Sequence, residues 1–308
     1  MEIDLSWRNL IYCLPNKLIS FYLGAIGQTL PTPDNLKIWG KKSNGNCPLC
    51  FHPTCTLLHI LCNCSFSLKT RRYNWRHDSV LKTLELSLRK HISDQNTKTV
   101  LHETKFIVFQ KEGQKLNSKP KSALLPHLLS YASDWSMQID YDQSPTFFPS
   151  HIYTTMERPD IVIWSSSTKT VIIAELTVPA EENITAAQVR KTGKYNSLVE
   201  AISLEWKCYF FSIEVGCKGF IANSFRSFCQ KIGFTSKQLK PLCQQIATTS
   251  LRCSYMLYLA RANTNWKPLD LLVDTTTPPT PNSTTCTTTI VNTSNTRSRT
   301  EQTFEIDC

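Results

Sequence analysis

The sequence contains no uninterrupted run of about 18 apolar residues, the shortest length that reads as a transmembrane helix. It also lacks the pattern of a secretory signal peptide. Glu2 and Asp4 replace the usual positive start, and Pro15, Asn16 and Lys17 interrupt the first apolar stretch. We therefore expect a protein without a signal peptide and without a membrane partner.

The chain has 13 cysteines, an odd number, spread over 308 residues. Small secreted domains use paired cysteines as a disulfide framework, but nothing here directs the chain to an oxidising compartment. We therefore expect reduced thiols, some of which bind metal. Five of them lie close together between Cys47 and Cys64, and most of the others are single residues among apolar neighbours.

Positive charge is in excess and is concentrated in one segment. The formal net charge is +10, and 13 basic but only five acidic residues lie between Lys69 and Lys121. Such an excess favours an acidic partner, nucleic acid first. Tyrosine and tryptophan among the first basic residues suit base stacking beside phosphate contacts. The candidate nucleic-acid-binding residues are Lys69, Arg71, Arg72, Tyr73, Trp75 and Arg76; the alternative is a solvated helix face.

Four residues have the spacing of a closed tetrahedral zinc site. Two residues separate Cys47 from Cys50, so a tight turn can direct both thiolates at one ion. His59 and Cys64 add an imidazole and a third thiolate. Nearby His52, Cys55 and Cys62 compete for these roles, and Cys62 could replace Cys64. A metal-free cluster of reduced cysteines is the alternative. The metal would be structural, because no coordination position stays open.

Two acidic residues lie on adjacent predicted strands. Arg158 to Trp164 and Thr170 to Val178 are β-branched runs joined by a polar turn, which predicts a hairpin buried on both faces. Asp160 begins the first strand and Glu175 ends the second, so the two can be cross-strand neighbours. Buried carboxylates are costly unless paired or metal-bound. The pair therefore suits one or two Mg²⁺ or Mn²⁺ ions at a scissile phosphate, with the Leu176 carbonyl as a further ligand.

A lysine follows these carboxylates on a predicted helix that extends from Glu181 to Leu204. Lys191 and Tyr195 are four residues apart and share one face, with Lys194 as the alternative lysine. The order acid, acid, lysine resembles the PD-(D/E)xK nucleases, in which lysine normally follows the second acid by two residues. Thr177 occupies that position here, so the lysine would have to come from the helix. The alternatives are an exposed helix face for both lysines and core packing for Tyr195.

A wider set of short motifs resembles the C-terminal region of polyproteins from non-LTR retrotransposons that carry a restriction-like endonuclease. The resemblance covers about residues 20 to 235, and the combination of an upstream zinc knuckle with the nuclease motif is specific. The matching stretches, in chain order, are Leu30 to Leu36, Cys47 to Cys50, Thr56 to Leu61 with Cys64, Arg72 to Leu81, Ser133 to Trp135, Arg158 to Asp160, Glu175 to Pro179 with Glu181 to Asn183, Arg190 and Lys191 with Tyr195, and Glu214 to Phe220.

The resemblance implies an α/β fold: a restriction-endonuclease-like mixed sheet flanked by helices, behind a zinc knuckle. It also implies that Cys47, Cys50, His59 and Cys64 hold zinc, and that Asp160, Glu175 and Lys191 carry out cleavage. Such modules follow a reverse transcriptase and nick target DNA to prime copying of element RNA. DNA, element RNA and a full-length reverse transcriptase acting in trans are the implied partners, in the nucleus.

The expected organisation has five parts. Residues 1–40 form a helical remnant that precedes the knuckle, 41–80 form the zinc knuckle with its basic tail, and 81–122 form a basic helical linker. Residues 123–262 form the endonuclease domain, and 263–308 form a disordered tail rich in Thr, Ser and Pro. No Phe/Tyr-Ala-Asp-Asp polymerase motif is present, so we expect a module that lacks the polymerase. The alternative function is a zinc-stabilised nucleic-acid-binding fragment that is catalytically inactive.

Overall fold

Local sequence helps to explain the first helices of the described part of the chain. A computed structural model describes residues 14–98, 100 and 126–266. Helix α1 is Asn16–Ile26 and helix α2 is Pro33–Ile38. Thr32 caps α2, because its hydroxyl accepts a hydrogen bond from the Asn35 backbone, and Pro33 fits the first helical position. A helical segment was expected here. The predicted tail lies, from residue 267 onward, outside the described residues.

The zinc motif, residues 47–64 with the four predicted ligands, leads through a short helix into a long one. A π-helical turn, His59–Asn63, is followed by short helix α3, Ser65–Lys69, and then by α4, Arg72–Asn96. Helix α4 is continuous across the boundary expected between residues 80 and 81. Its buried residues recur every three or four positions, as a helix facing a core requires. Helix α4 therefore belongs to the core and is not a linker.

The protein is α/β, with a four-stranded mixed sheet in the order β1-β2-β3-β4. The strands are β1 Ser136–Ile139, β2 Ile161–Ser165, β3 Thr170–Thr177 and β4 Lys207–Glu214. The first three are antiparallel, and β4 is parallel to β3. The predicted hairpin is present as β2 and β3, and every residue of β3 is buried. A strand buried on both faces explains why its apolar residues do not alternate with polar ones.

Helices cover both faces of this sheet. Helix α5, Ile184–Ile202, connects β3 to β4 and packs Tyr195, Leu198 and Ile202 on one face. The other face shares its apolar cluster with α4, with α6, Asn223–Lys231, and with α7, Ser236–Leu259. The same cluster includes Cys47 and Cys64. The zinc motif and the sheet therefore pack into one compact unit.

None of the described helices combines the length and the apolar character needed to cross a bilayer.

Candidate functional site

Cys47 and Cys50 lie at the two ends of a tight turn. The Cys47 backbone N–H donates to the His52 carbonyl at 2.8 Å, and the Phe51 N–H donates to the Cys47 carbonyl at 2.9 Å. Phe51 closes the turn in the left-handed region, with φ of 60°. This backbone arrangement directs the two thiol groups to the same side.

The other two predicted metal ligands lie at the π-helical turn that follows. His59 begins the π-helical turn and Cys64 follows its end. The Cys50 Sγ lies 3.3 Å from the His59 Nε2, and the Cys47 Sγ lies 3.9 Å from the Cys64 Sγ. One ligand atom from each of Cys47, Cys50, His59 and Cys64 can be chosen so that all lie within 4.8 Å of one another. The structure therefore brings the four predicted ligands together.

The chemistry of this cluster fits zinc. Three soft thiolates and one imidazole are a donor set that zinc takes in closed structural sites. Burial, together with the charge of neighbouring His52, lowers the pKa of His59, so its ring stays neutral and can ligate a metal. Burial also raises the pKa of the Cys47 thiol, a penalty that a bound cation would offset. The four residues could bind a metal ion such as zinc.

The competing residues lie in other environments. His52 is exposed, stacks on the His59 ring at 4.8 Å and bonds to Thr54. Cys55 is fully buried, which raises the pKa of its thiol. Cys62 contacts Arg76 instead, with 4.0 Å between the Sγ and the Nη2. A hydrogen bond from Cys217, together with the charge of Arg76, lowers the pKa of Cys62 to about 7 against the effect of burial.

Asp160 and Glu175 are neighbours across the β2–β3 hairpin. Ile161 pairs with Ala174 in the strand register, so continuing this register by one residue places Asp160 opposite Glu175. The Asp160 backbone N–H donates to the Glu175 Oε2 at 3.2 Å, and the Leu176 N–H donates to the Asp160 Oδ2 at 2.7 Å. The two carboxylates and the Leu176 carbonyl thus lie at one end of the hairpin.

Lys191 completes this acidic group from helix α5. Its Nζ forms an ion pair and a hydrogen bond with the Glu175 Oε1. Glu175 is almost fully buried. Burial and the charge of Asp160 raise the pKa of Glu175, whereas Lys191 opposes this effect. An added cation would stabilise the charged form of a carboxylate in this environment.

The alternative lysine occupies a different place. The Lys194 Nζ donates to the Tyr195 hydroxyl at 2.9 Å and lies 3.3 Å from the Glu157 Oε2. Tyr195 is fully buried, and its hydroxyl donates to the Arg158 carbonyl at 3.1 Å. Burial, and then the charge of Glu175, raises the pKa of Tyr195, so its hydroxyl stays neutral. The structure brings Lys191 to Glu175, while Tyr195 holds the chain just before Asp160.

The sequence analysis missed one residue of this site, His77 on helix α4. Its Nε2 lies 3.2 Å from the Asp160 Oδ2 and 3.2 Å from the Leu176 carbonyl oxygen, and its Nδ1 lies 3.0 Å from the Asp78 Oδ1. Burial disfavours the charged ring, but the charge of Asp160 and hydrogen bonds to both carboxylates raise the pKa of His77 to about 10. The available signal was an unassigned histidine–aspartate pair inside the matching stretch Arg72 to Leu81.

No protein-family model matches the chain, and no curated protein matches it. Its function therefore has to be inferred from the geometry of the two residue groups just described.

The structure corrects part of the predicted nucleic-acid interface. Arg72 and Arg76 are both only 2 % exposed. The Arg72 guanidinium donates to the carbonyls of Ala260 and Asn263, and the Arg76 guanidinium donates to the Val178 carbonyl. These charges are used inside the protein, because buried guanidinium groups need acceptors. They are not available to a phosphate.

The aromatic members of the predicted interface also have internal partners. The Tyr73 hydroxyl accepts a hydrogen bond from the Cys64 N–H at 2.9 Å and contacts the Ile60 carbonyl at 3.0 Å. The Trp75 ring packs edge-on against Trp266, with 5.2 Å between the ring centroids. Tyr73 thus connects α4 to the zinc motif. The exposed members of the set are Lys69 and Arg71, and Arg71 pairs with Asp142.

The buried position of Arg76 predicts a loss of stability on substitution. Arg76→Met leaves the Val178 carbonyl and the Ser254 hydroxyl without their donor. We expect the free energy of unfolding to fall by about 2 kcal/mol in urea denaturation. The matched change Arg71→Met affects an exposed ion pair and should cost at most about 1 kcal/mol. Equal stability of the two variants would contradict the assignment of Arg76 to the interior.

Proposed function

We propose that this chain is a DNA endonuclease module that nicks its target by metal-dependent hydrolysis of a phosphodiester bond. One observation carries the proposal: Asp160, Glu175 and Lys191 meet at one end of the β2–β3 hairpin although Lys191 lies 31 positions after Asp160. The stability of the sheet does not require two acidic residues and a lysine at this position. The mixed sheet with α5 between parallel strands supports a restriction-like fold.

The residues suited to the catalytic metal are Asp160, Glu175 and the Leu176 carbonyl. Hard oxygen ligands such as these favour Mg²⁺ or Mn²⁺. When bound, the ion polarises the scissile phosphate and lowers the pKa of an attacking water. Asp160 can offer its Oδ1, since among the described residues the hydrogen bonds to this carboxylate fall on Oδ2. Glu175, buried beside it, supplies the second negative charge.

Lys191 carries the remaining chemistry. Its side-chain nitrogen orients or deprotonates the attacking water, and its ammonium form stabilises the negative charge that develops on the phosphate oxygens. Thr177, in the usual lysine position, is buried and faces Glu214 in the strand register. Since a lysine there is absent, α5 supplies the cation through Lys191, which pairs with Glu175. Tyr195 supports this arrangement by holding the Arg158 carbonyl.

The same proposal includes the substrate and the partners. We assign DNA as the substrate, and element RNA and a full-length reverse transcriptase in trans as partners, with action in the nucleus. The four-residue cluster at Cys47 would hold a structural Zn²⁺. Lys69 and Arg71 are the exposed basic residues next to this cluster, and they remain the candidates for phosphate contact.

Nicking of supercoiled plasmid tests the proposal. We expect the full chain to convert supercoiled plasmid to the open-circular form only when Mg²⁺ or Mn²⁺ is added. Asp160→Ala and Glu175→Ala should each lower the rate on the order of 10²–10⁴-fold, since each removes a metal ligand. Glu205→Ala, a change at an exposed acid, is the matched control. Equal nicking by all four proteins would remove the assignment.

A second candidate is an inactive, zinc-stabilised nucleic-acid-binding module. Thr177 favours it, because the residue at the usual lysine position cannot carry a charge. This function predicts salt-sensitive DNA or RNA binding through Lys69 and Arg71, with no nicking under any metal condition. The same plasmid assay, combined with a binding titration at two salt concentrations, separates the two functions.

A further inference from the structure

Helix α4 contributes a residue to the acidic group from outside the sheet. The helix begins at Arg72, shortly after the zinc motif, and His77 lies about one and a half turns further along. Its ring is only 23 % exposed and lies against the end of the β2–β3 hairpin. Asp160 immediately precedes β2, β3 supplies Glu175 and Leu176, and α5 supplies Lys191, so α4 is a fourth element at this site.

Both ring nitrogens of His77 have defined partners. The Nε2 is 3.2 Å from both the Asp160 Oδ2 and the Leu176 carbonyl oxygen. The Nδ1 faces the Asp78 Oδ1, and the Asp78 Oδ2 accepts from the Asp142 backbone N–H at 3.2 Å. Asp78 is therefore fixed in turn, which sets the orientation of the ring. A ring held at both nitrogens cannot rotate away from Asp160 without losing several hydrogen bonds.

The two oxygens that His77 contacts belong to groups already assigned to the catalytic metal. The Asp160 Oδ2 receives two donors, the Leu176 N–H and the His77 ring. Because these two donors fix the orientation of the carboxylate, its other oxygen, Oδ1, also has a fixed direction. Partners of this kind orient metal ligands in general, and their removal costs about 10–100-fold in metal affinity or activity.

We propose that His77 is a positioning residue of the nuclease centre, which holds the Asp160 carboxylate and the Leu176 carbonyl where a divalent ion needs them. This inference rests on the proposed endonuclease function. His77 acts through these two ligands and does not itself contact the substrate. Asp78 supports it by fixing the ring.

Metal binding without DNA tests this role directly. Mn²⁺ is titrated calorimetrically into the zinc-saturated full chain, as wild type, His77→Leu, His77→Gln and the exposed control His151→Gln. We expect His77→Leu to weaken Mn²⁺ binding by about 10–100-fold. His77→Gln should recover most of the affinity, because its side-chain amide can donate from nearly the same position as the imidazole Nε2. His151→Gln should match wild type.

Nicking assays supply the second measurement. The Mg²⁺ concentration for half-maximal nicking should rise in His77→Leu by the same factor, with a smaller change in the rate at saturating Mg²⁺. Thermal unfolding of each variant, followed by circular dichroism, checks that the fold is intact. A purely structural role would lower the unfolding temperature of His77→Leu and leave Mn²⁺ affinity unchanged. Unchanged or tighter Mn²⁺ binding by folded His77→Leu would overturn the inference.

Failure of this inference differs from failure of the proposed function. A wild-type protein that nicks plasmid, with His77→Leu equal to it in metal dependence, removes only the role of His77. A zinc-saturated wild-type protein that neither binds Mn²⁺ nor nicks removes the proposed function, and the role of His77 with it.

Discussion

Lys191→Ala is expected to lower the rate of plasmid nicking by about 10²–10⁴-fold. The Lys191 Nζ is bonded to the buried Glu175, so it lies beside the proposed metal ligands and brings a positive charge to Glu175. Its removal leaves the buried Glu175 carboxylate without its ion-pair partner. We therefore expect the plateau rate at saturating Mg²⁺ to fall, which single-turnover nicking assays would measure.

Lys194→Ala is the matched control for this prediction. Lys194 lies three residues further along the same helix, but its Nζ bonds to the Tyr195 hydroxyl and to Glu157. We expect its loss to change the nicking rate by less than about tenfold, because Tyr195 keeps its bond to the Arg158 carbonyl. A large loss in Lys194→Ala with normal activity in Lys191→Ala would reverse the assignment of the lysine.

Cys47→Ser is expected to release the metal and unfold the zinc motif. The cluster has three thiolates and one imidazole, and a structural zinc site contributes about 10–16 kcal/mol of apparent binding free energy. Cys47 and Cys64 also belong to the apolar cluster that includes residues of α1 and α4. We therefore expect a large fall in the unfolding temperature of the whole unit, measured by calorimetry. Zinc content, measured by mass spectrometry, should fall from one ion per chain to none.

Cys62→Ser is the control for the metal site. Cys62 was an alternative ligand, but its thiol lies near Arg76 and Cys217. We expect this variant to keep one zinc ion per chain and to unfold within a few degrees of wild type, because a partly buried thiol is replaced by a hydroxyl of similar shape. Loss of zinc in Cys62→Ser with retention in Cys47→Ser would show that the ligand set was assigned incorrectly.

The sequence was sufficient for the parts of the fold that local chemistry determines. The β-branched runs on each side of a polar turn predicted the β2–β3 hairpin, with Asp160 and Glu175 as possible cross-strand neighbours. In the structure, Ile161 pairs with Ala174, which brings the two acidic residues next to each other. The spacing of Cys47, Cys50, His59 and Cys64 predicted which side chains meet, because a turn and a short helical segment have few ways to present four ligands.

The role of α4 could not be read from charge alone. A cluster of arginines next to aromatic residues is typical of a nucleic-acid surface, and Arg72 and Arg76 were assigned to one. Their spacing of four places them on the same helical face as Val80 and Leu84, which are buried. That periodicity was visible in the sequence, but the carbonyls that accept their hydrogen bonds come from residues 178, 260 and 263. Such long-range partners are set by tertiary packing.

His77 illustrates the same limit. It precedes Asp160 by 83 residues, and nothing in their local sequences relates the two. Only the packing of α4 against the sheet brings the imidazole to the hairpin. A site residue contributed by a distant helix is therefore the kind of feature that one sequence does not reveal.

The continuity of α4 has a consequence for how this protein can be divided. The helix starts shortly after the zinc motif, passes the acidic group within two turns and ends after 25 residues against the strand-bearing part of the chain. Neither half keeps an intact core if the chain is cut inside it. The four-residue Cys/His cluster and the mixed sheet therefore cannot be exchanged independently between related proteins. Any recombination that preserves folding has to transfer both together, with α4 whole.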